Sequence, residues 1–388
     1  MKQYFADLHI HIGRTETGKP VKITGSRNLT LKNILETASS RKGLDMIGII
    51  DCHSPEVIEE MEALIDKGEM QELDDGGLQF KTTTLIPGSE IEIYDSNCHG
   101  PIHVLAYFPT LSIMAEFSKW MGSNLKNIQL SSQRIYCDGV TLQRKVKELG
   151  GIFIPAHVFT PFKSLYGKGV ISSLTEVFDP SMIDAIELGL SSDTEMVNRI
   201  RELEPFTFVT NSDAHSLGKL AREYQKIQLE KPSFEELKLA LYENEGRIII
   251  ENYGLNPLLG KYHSTACAHC GEPITKEMTI CPTCGSSQFV KGVSSRIQEL
   301  SDLSYKGKKR PNYIHQVPLD FIPGVGPKTI ERLLHAFGTE MNILHNTSLT
   351  DLEGIVPKKI AQTIDQARKG ELFIEVGGGG VYGRIKQK

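Results

Sequence analysis

Asp7-Leu8-His9-Ile10-His11 lies a few residues into the chain, and the rest of the sequence is read outward from it. Lys2 to Leu8 has the pattern of a short buried strand. His9 and His11 are two apart, so at an extended strand end both imidazoles point the same way. Two parallel imidazoles are a poor use of surface and a good start for a metal cage. Alone, the pair fits two surface histidines equally well. The remaining sequence favours ligation, because His, Asp and Glu recur just after apolar runs.

Those runs are Tyr4–Leu8, Met46–Ile50, Thr84–Pro87, Ile102–Phe108, Ile152–Pro155, Ile183–Leu188 and Phe206–Asn211. Helix-period segments alternate with them: Leu31–Arg41, Glu56–Lys67, Ser112–Leu125, Thr141–Leu149, Glu195–Glu204 and Phe234–Tyr242. Alternating β and α units predict a parallel sheet, and right-handed crossovers roll about seven of them into a barrel. Chemistry in such barrels gathers at the C-terminal strand ends. Asp51 and His53 follow the second run, Glu90 the third, His157 the fifth, and Asp213 and His215 the seventh, while His103 lies near the start of the fourth. A mixed set of imidazoles and carboxylates suits two or three borderline divalent ions, with zinc first and manganese or magnesium as alternatives.

His-x-His, Asp-x-His, Gly-Ser-Glu, Pro-Ala-His and Ser-Asp-Ala-His, in this order, resemble the PHP (polymerase and histidinol phosphatase) superfamily over residues 1 to about 255. The resemblance implies a seven-stranded (β/α) barrel that hydrolyses phosphoesters at a trinuclear metal site. It marks His9, His11, Glu90, His103, His157, Asp213 and His215 as ligands, with Asp51 and His53 both carried as candidates. Glu90, His157 and Asp213 are the expected catalytic residues. The chain departs from the family pattern in two places: Gly13–Pro20 holds no third histidine, and the second motif is Asp51-Cys52-His53.

Two Cys-x-x-Cys pairs follow, Cys267/Cys270 and Cys281/Cys284, ten residues apart. This spacing predicts a structural zinc held by four sulfurs. Further on, Phe321-Ile-Pro-Gly-Val-Gly326-Pro-Lys-Thr opens a helix expected from Pro327 to about Phe337, and Leu352–Lys359 repeats the plan before Ala361–Lys369. This resembles a tandem helix-hairpin-helix, in which backbone N–H groups at Gly324 and Gly326 meet a phosphate and Lys328, Lys358 and Lys359 add charge. The basic run Lys306–Arg310 reads as a linker, either solvated or following a phosphate backbone. The glycine-rich end is either a loose tail or a strand close to another backbone or a nucleic acid.

Charge is uneven. From Ser286 onward 15 Lys+Arg face 10 Asp+Glu, a net of +5, which leaves −10 for the rest of a chain whose total is −5. A basic C-terminal part suits a polyanion partner. No apolar run is long enough to cross a bilayer and no signal-like start precedes Asp7, so a cytoplasmic, nucleoid-associated protein is expected.

The expected organisation is a barrel over 1–255, a zinc module over 256–292, and a linker, helix-hairpin-helix pair and tail over 293–388. That order resembles the endonuclease Q family over nearly the whole chain. The resemblance implies a repair nuclease acting on double-stranded DNA. Such an enzyme cuts 5′ of deaminated bases (uracil, hypoxanthine, xanthine) and abasic sites, leaving a 3′-hydroxyl and a 5′-phosphate. Phe159, Phe162 and Tyr166 are candidates to stack on a flipped base, against ordinary packing of the loop after the fifth strand. The rivals are a PHP-type phosphatase or DNA 3′-end exonuclease, and a DNA-binding scaffold without catalysis.

Overall fold

The structure, a computed structural model, describes residues 1–377 and 381–386. The seven apolar runs form strands β1 (Lys2–Ile10), β2 (Met46–Ile49), β3 (Thr83–Ile93), β4 (Ile102–Tyr107), β5 (Ile152–Pro155), β6 (Ala185–Glu187) and β7 (Thr207–Val209). The fold is α/β. β1, β2 and β3 are parallel neighbours, as βα alternation requires. β4 departs from the expected parallel order and runs antiparallel to both β3 and β5. The cause is its connection: eight residues separate Ile93 from Ile102, and a parallel crossover needs about a dozen. β6 and β7 pair in parallel with each other. Single bonds tie them to the rest: Asp184 N–H donates to Phe153 O (3.0 Å), Ala214 N–H to His9 O and His11 N–H to Ala214 O (both 3.1 Å).

Strand periodicity sorts the side chains. Leu8, Ile86, Leu105, Ile154, Ala185 and Val209 come from six different strands or strand ends and share one buried cluster. Phe234, Leu237 and Ala240 of the helix Phe234–Leu241 belong to the same cluster. Leu85, Ile91, Ile93 and Phe153 face the other way, into a second core with the helices Pro55–Asp66, Leu111–Gly122 and Gly139–Glu148. Tyr107 fills space left by two glycines: a Cβ on Gly48 or Gly88 would lie 2.8 or 2.7 Å from its ring.

The sequence does not announce three further strands. β8 (Tyr224–Leu229) is antiparallel to β1, β9 (Ile248–Gly254) is antiparallel to β8, and β10 (Asn312–His315) is parallel to β9. β10 thus carries part of the expected C-terminal region back into the main sheet. The basic run before it is neither a solvated linker nor a phosphate tracker at Arg310. Its guanidinium lies 3.6 Å from the Phe208 ring centroid and donates to Asn198 Oδ1 (2.9 Å), Phe206 O (2.7 Å) and Leu203 O (2.8 Å). One expected helix does not persist. Glu195–Glu204 is interrupted after Thr194–Val197 and resumes only as a 3-10 turn at Arg201–Leu203.

The helix Pro327–Phe337 ends at Gly338, whose φ of 85° suits glycine. Helices Glu340–His345, Leu349–Ile355 and Lys358–Arg368 follow and pack with it. This helical part docks on the sheet. The His345 ring stacks 4.4 Å from Phe5 and its Nε2 lies 2.7 Å from Tyr224 Oη, while buried Lys42 pairs with Glu340 at 2.7 Å. The tail takes the second of its two alternatives. Phe373–Glu375 pairs antiparallel with Arg384–Lys386, and Gly377 and Gly383 N–H donate to the carbonyls of Leu258 and Leu259. Gly378–Gly380 of the glycine run lie outside the described residues. Among the described residues, no helix is long and apolar enough to cross a membrane.

Replacing Arg310 by alanine leaves buried carbonyls without a donor. The expected cost is about 2–3 kcal/mol, read as a lower urea midpoint; an unchanged midpoint would show that these bonds carry no stability.

Candidate metal centre

In β1, Ala6 and Leu8 face the inner cluster, so strict alternation would turn His9 away from it. The register of β1 against β2 shifts between Asp7 and Ile10. A bulge of this kind re-aims a side chain. Ile10 then packs in the outer core, and His9 and His11 both reach the centre. Asp7 holds the facing loop by accepting from Ser212 N–H (3.1 Å) and Ala221 N–H (2.9 Å).

Three groups of side chains bring donor atoms within 4.8 Å of one another: His9, His11 and Glu90; His11, Asp213 and His215; Glu90, His103 and His157. Glu90 and His11 each belong to two groups. His9 Nε2 lies 3.6 Å from Glu90 Oε1 and 3.5 Å from Asp213 Oδ1, and His11 Nε2 lies 3.6 Å from Glu90 Oε2 and 3.5 Å from Asp213 Oδ1. These distances are long for N–H···O bonds. They are near the separation of about 3.4 Å between two atoms that each lie about 2.0–2.1 Å from one tetrahedral ion. Nε2 of His9, His11 and His103 is buried without a hydrogen-bond partner. Buried polar atoms without partners are rare in native folds, and this donor set fits divalent cations.

The chain's own charges prepare the site. Burial pushes Glu90 towards its neutral form, but His103, His157 and Lys22 outweigh it and hold the carboxyl well below its ordinary range. Asp213 is held down in the same way, burial being overcome by His9, His11 and His215. Burial would lower His9, yet Glu187, Asp213 and Glu90 raise it well above the usual imidazole value. Two of the predicted ligands, His157 (φ 32°) and Asp213 (φ 45°), have left-handed backbones. Such residues are uncommon outside glycine and gather at functional sites.

The supporting shell was only partly legible. Glu187 Oε1 lies 3.0 Å from His9 Nδ1 and accepts from Asn211 Nδ2 at 2.7 Å. Its one signal was an acid inside the apolar run Ile183–Leu188. Lys22 Nζ reaches Glu90 Oε2 at 3.0 Å and Thr24 Oγ1 meets His215 Nδ1 at 3.0 Å. Both sit in a loop whose sequence gives no periodicity. Asp51 and His53 lie beside the centre and outside the three donor groups. Asp51 Oδ2 is 3.0 Å from His11 Nδ1 and accepts Ile12 N–H at 2.8 Å. His53 faces Ser89 Oγ (2.8 Å) and Leu130 O (3.3 Å).

No protein-family model matches the chain. It is 58% identical over 386 residues to the uncharacterized protein YqxK of Bacillus subtilis (strain 168), covering 100% of both chains. It is similar, at TM-score 0.85 and 32% identity, to the crystal structure of the lesion-specific endonuclease PfuEndoQ from Pyrococcus furiosus, with 99% of this chain and 95% of that one covered. A second solved structure, endonuclease Q in complex with a 27-mer duplex bearing an abasic lesion at its active site, matches at TM-score 0.84 and 31% identity over 100% and 97% of the two chains. The chain belongs to the endonuclease Q family. By that membership it is a metal-dependent nuclease.

Beyond the centre, this endonuclease Q chain gathers Cys267, Cys270, Cys281 and Cys284 into a fourth donor group. Sγ of Cys267 and Cys284 lie 3.5 Å apart, as do those of Cys270 and Cys281. That is far beyond a disulfide bond of about 2.0 Å and near the edge of a sulfur tetrahedron about 2.3 Å from a metal. Gly271 (φ 76°) and Gly285 (φ 73°) make the turns after each pair. Gly324 (φ 85°) and Gly326 precede the helix at Pro327, and a Cβ built on Gly326 would meet nothing within 4 Å. Lys328, Lys358 and Lys359 are exposed. Of the three aromatic candidates, Phe159 and Tyr166 are buried and stack on each other at 5.2 Å, and Phe162 alone is exposed. The exposed Phe162 meets Tyr262 edge-on at 5.5 Å. A cavity of about 430 Å³ adjoins the centre, lined by Asp213, His215, Lys219, Arg222, Tyr262 and Tyr382. Sequence reading missed its tyrosines, because they come from segments far along the chain from β1 to β7.

Glu187→Gln keeps the shape of the side chain and removes the charge behind His9. Affinity for divalent ions at the centre around Glu90 is expected to fall about 10–100-fold, measured by competition with a chromogenic chelator. Unchanged affinity would place Glu187 outside the site's support.

Proposed function

We propose that the chain is a DNA repair endonuclease that hydrolyses the phosphodiester 5′ of deaminated bases (uracil, hypoxanthine, xanthine) and of abasic sites, leaving a 3′-hydroxyl and a 5′-phosphate. The observation that carries this reading is the end-to-end likeness to endonuclease Q, one example of which is bound to an abasic duplex. The convergence of His9, His11, Glu90, His103, His157, Asp213 and His215 supports it independently. We read β1 to β7 as the strands of a distorted PHP-type barrel over residues 1–255. The four cysteines then hold a structural zinc over 256–292, and the remainder to 388 carries a tandem helix-hairpin-helix, with β10 returned to the barrel sheet.

Two or three divalent ions, zinc with magnesium or manganese as alternatives, would supply an activated water and neutralise charge at the phosphorus. The chain does the rest. Glu90, the carboxylate common to two donor groups, would help hold the ions of both. Asp213 and His215 border the cavity, so the scissile phosphate enters from that side. Asp51 orients His11 and Glu187 orients His9, which fixes the tautomers that present Nε2 to the centre. A damaged nucleotide flipped out of the duplex fits the cavity between Tyr262 and Tyr382, with Lys219 and Lys261 facing its phosphates. Gly324, Gly326, Lys328, Lys358 and Lys359 hold the duplex backbone through helix N-termini and charge.

Asp213→Asn tests this reading on duplexes carrying one uracil, one hypoxanthine or one abasic site. The expected protein binds each duplex as the wild type does and nicks none, while the wild type cuts once, 5′ of the lesion. Wild-type nicking by the variant, or release of mononucleotides or free phosphate by the wild type, would contradict it.

A further inference from the structure

β3 does not stop at the metal centre. Beyond Glu90 it continues to Ile93, with Ile91 and Ile93 buried in the outer core. Residues two apart share a face, so Glu90, Glu92 and Tyr94 line up on the other side. A short strand, Arg134–Ile135, pairs parallel with this end, Arg134 opposite Glu92 and Ile135 opposite Ile93. Ile135 is buried, which puts Ser132, Arg134 and Tyr136 on the opposite face. The ribbon is anchored at the centre itself, because Ser132 Oγ donates to Glu90 Oε2 and Lys22 Nζ donates to Ser132 Oγ.

The far end of the ribbon carries an aromatic and cationic patch. Tyr94 is 39% and Tyr136 53% exposed. The Arg134 guanidinium lies 4.8 Å from the Tyr94 ring centroid and 5.5 Å from that of Tyr136, and Lys126 Nζ lies 5.9 Å from Tyr136. Among the described residues, neither Arg134 nor Lys126 has a carboxylate within ion-pair distance. Nearby Asp95 is turned to the N–H groups of Asn97 and Gly139. The patch shares no residue with the cavity at Asp213 and His215.

We infer that Tyr94, Lys126, Arg134 and Tyr136 form a second nucleic-acid contact, which grips the DNA strand leading away from the metal centre. The inference rests on the nuclease reading above. Exposed tyrosine rings stack bases without regard to sequence, and Arg and Lys without a carboxylate partner gain from counterion release at phosphates. Four residues of extended chain, three of them in β3, put Tyr94 about 13 Å from Glu90. This is about four nucleotide steps along one strand of B-form DNA at roughly 3.4 Å each. A strand whose phosphate is held at the centre therefore reaches the patch within a few nucleotides. The edge of the patch lies on regular strand, so it can hold the substrate in one register.

Binding of the full-length protein to a uracil duplex, read by fluorescence anisotropy, tests this apart from catalysis. The double variant Tyr94→Ala/Tyr136→Ala is expected to raise Kd about tenfold or more, with Tyr136→Phe close to wild type and thermal midpoints unchanged. Lys126→Ala is expected to lower the slope of log Kd against log salt by about one. Wild-type Kd in the double variant together with a wild-type salt slope in Lys126→Ala would overturn the inference. If the variants bind weakly but the wild type nicks no lesion duplex, the second contact stands and the nuclease reading falls.

Discussion

A carboxylate that is 1% exposed needs compensation, and Glu90 receives it from every side. His103, His157 and Lys22 lie within 3.4 Å of its oxygens, and His9 and His11 stand at 3.6 Å. The rest of the molecule serves that arrangement. The bulge in β1 turns His9 inward, left-handed backbones at His157 and Asp213 aim two donors from strand ends, and a loop sends Lys22 back over the sheet. The fold accepts local strain here and recovers stability in two ordinary apolar cores.

Much of this was legible. Apolar runs located seven strands, and nine polar residues at or near their ends included the seven that converge. Residues close in sequence to a strand end inherit its direction, so one-dimensional spacing carries three-dimensional information. What could not be read depends on contacts across the chain. Glu187 looks like an acid misplaced in a strand until His9 is seen against it. Lys22 and Thr24 sit in a loop of no period. β8 and β9 hide because Gln225, Lys226 and Asn252 break their apolar pattern while bonding within the sheet. The antiparallel course of β4 follows from a short connection, a constraint visible in the sequence once strand ends are known.

The C-terminal parts are less separate than their composition implies. β10 joins the main sheet, Arg310 is sunk against Phe208, His345 is wedged among Phe5, Tyr224 and Tyr253, and the tail hydrogen-bonds to Leu258 and Leu259. Burial drives His345 down to about 3, so the wedge stays neutral at any ordinary pH. A helical region fixed in this way keeps one orientation to the metal centre. Positioning of that kind is a large part of what an enzyme contributes to phosphodiester cleavage.

The buried imidazoles and carboxylates exist to hold cations. Anomalous scattering from crystals of the purified protein, collected at the absorption edges of zinc and manganese, tests this. Peaks are expected between Glu90 and the imidazoles of His9, His11, His103 and His157 and beside Asp213 and His215, together with one among the four cysteines. A peak at the cysteines alone, with the centre around Glu90 empty after soaking in either ion, would contradict this.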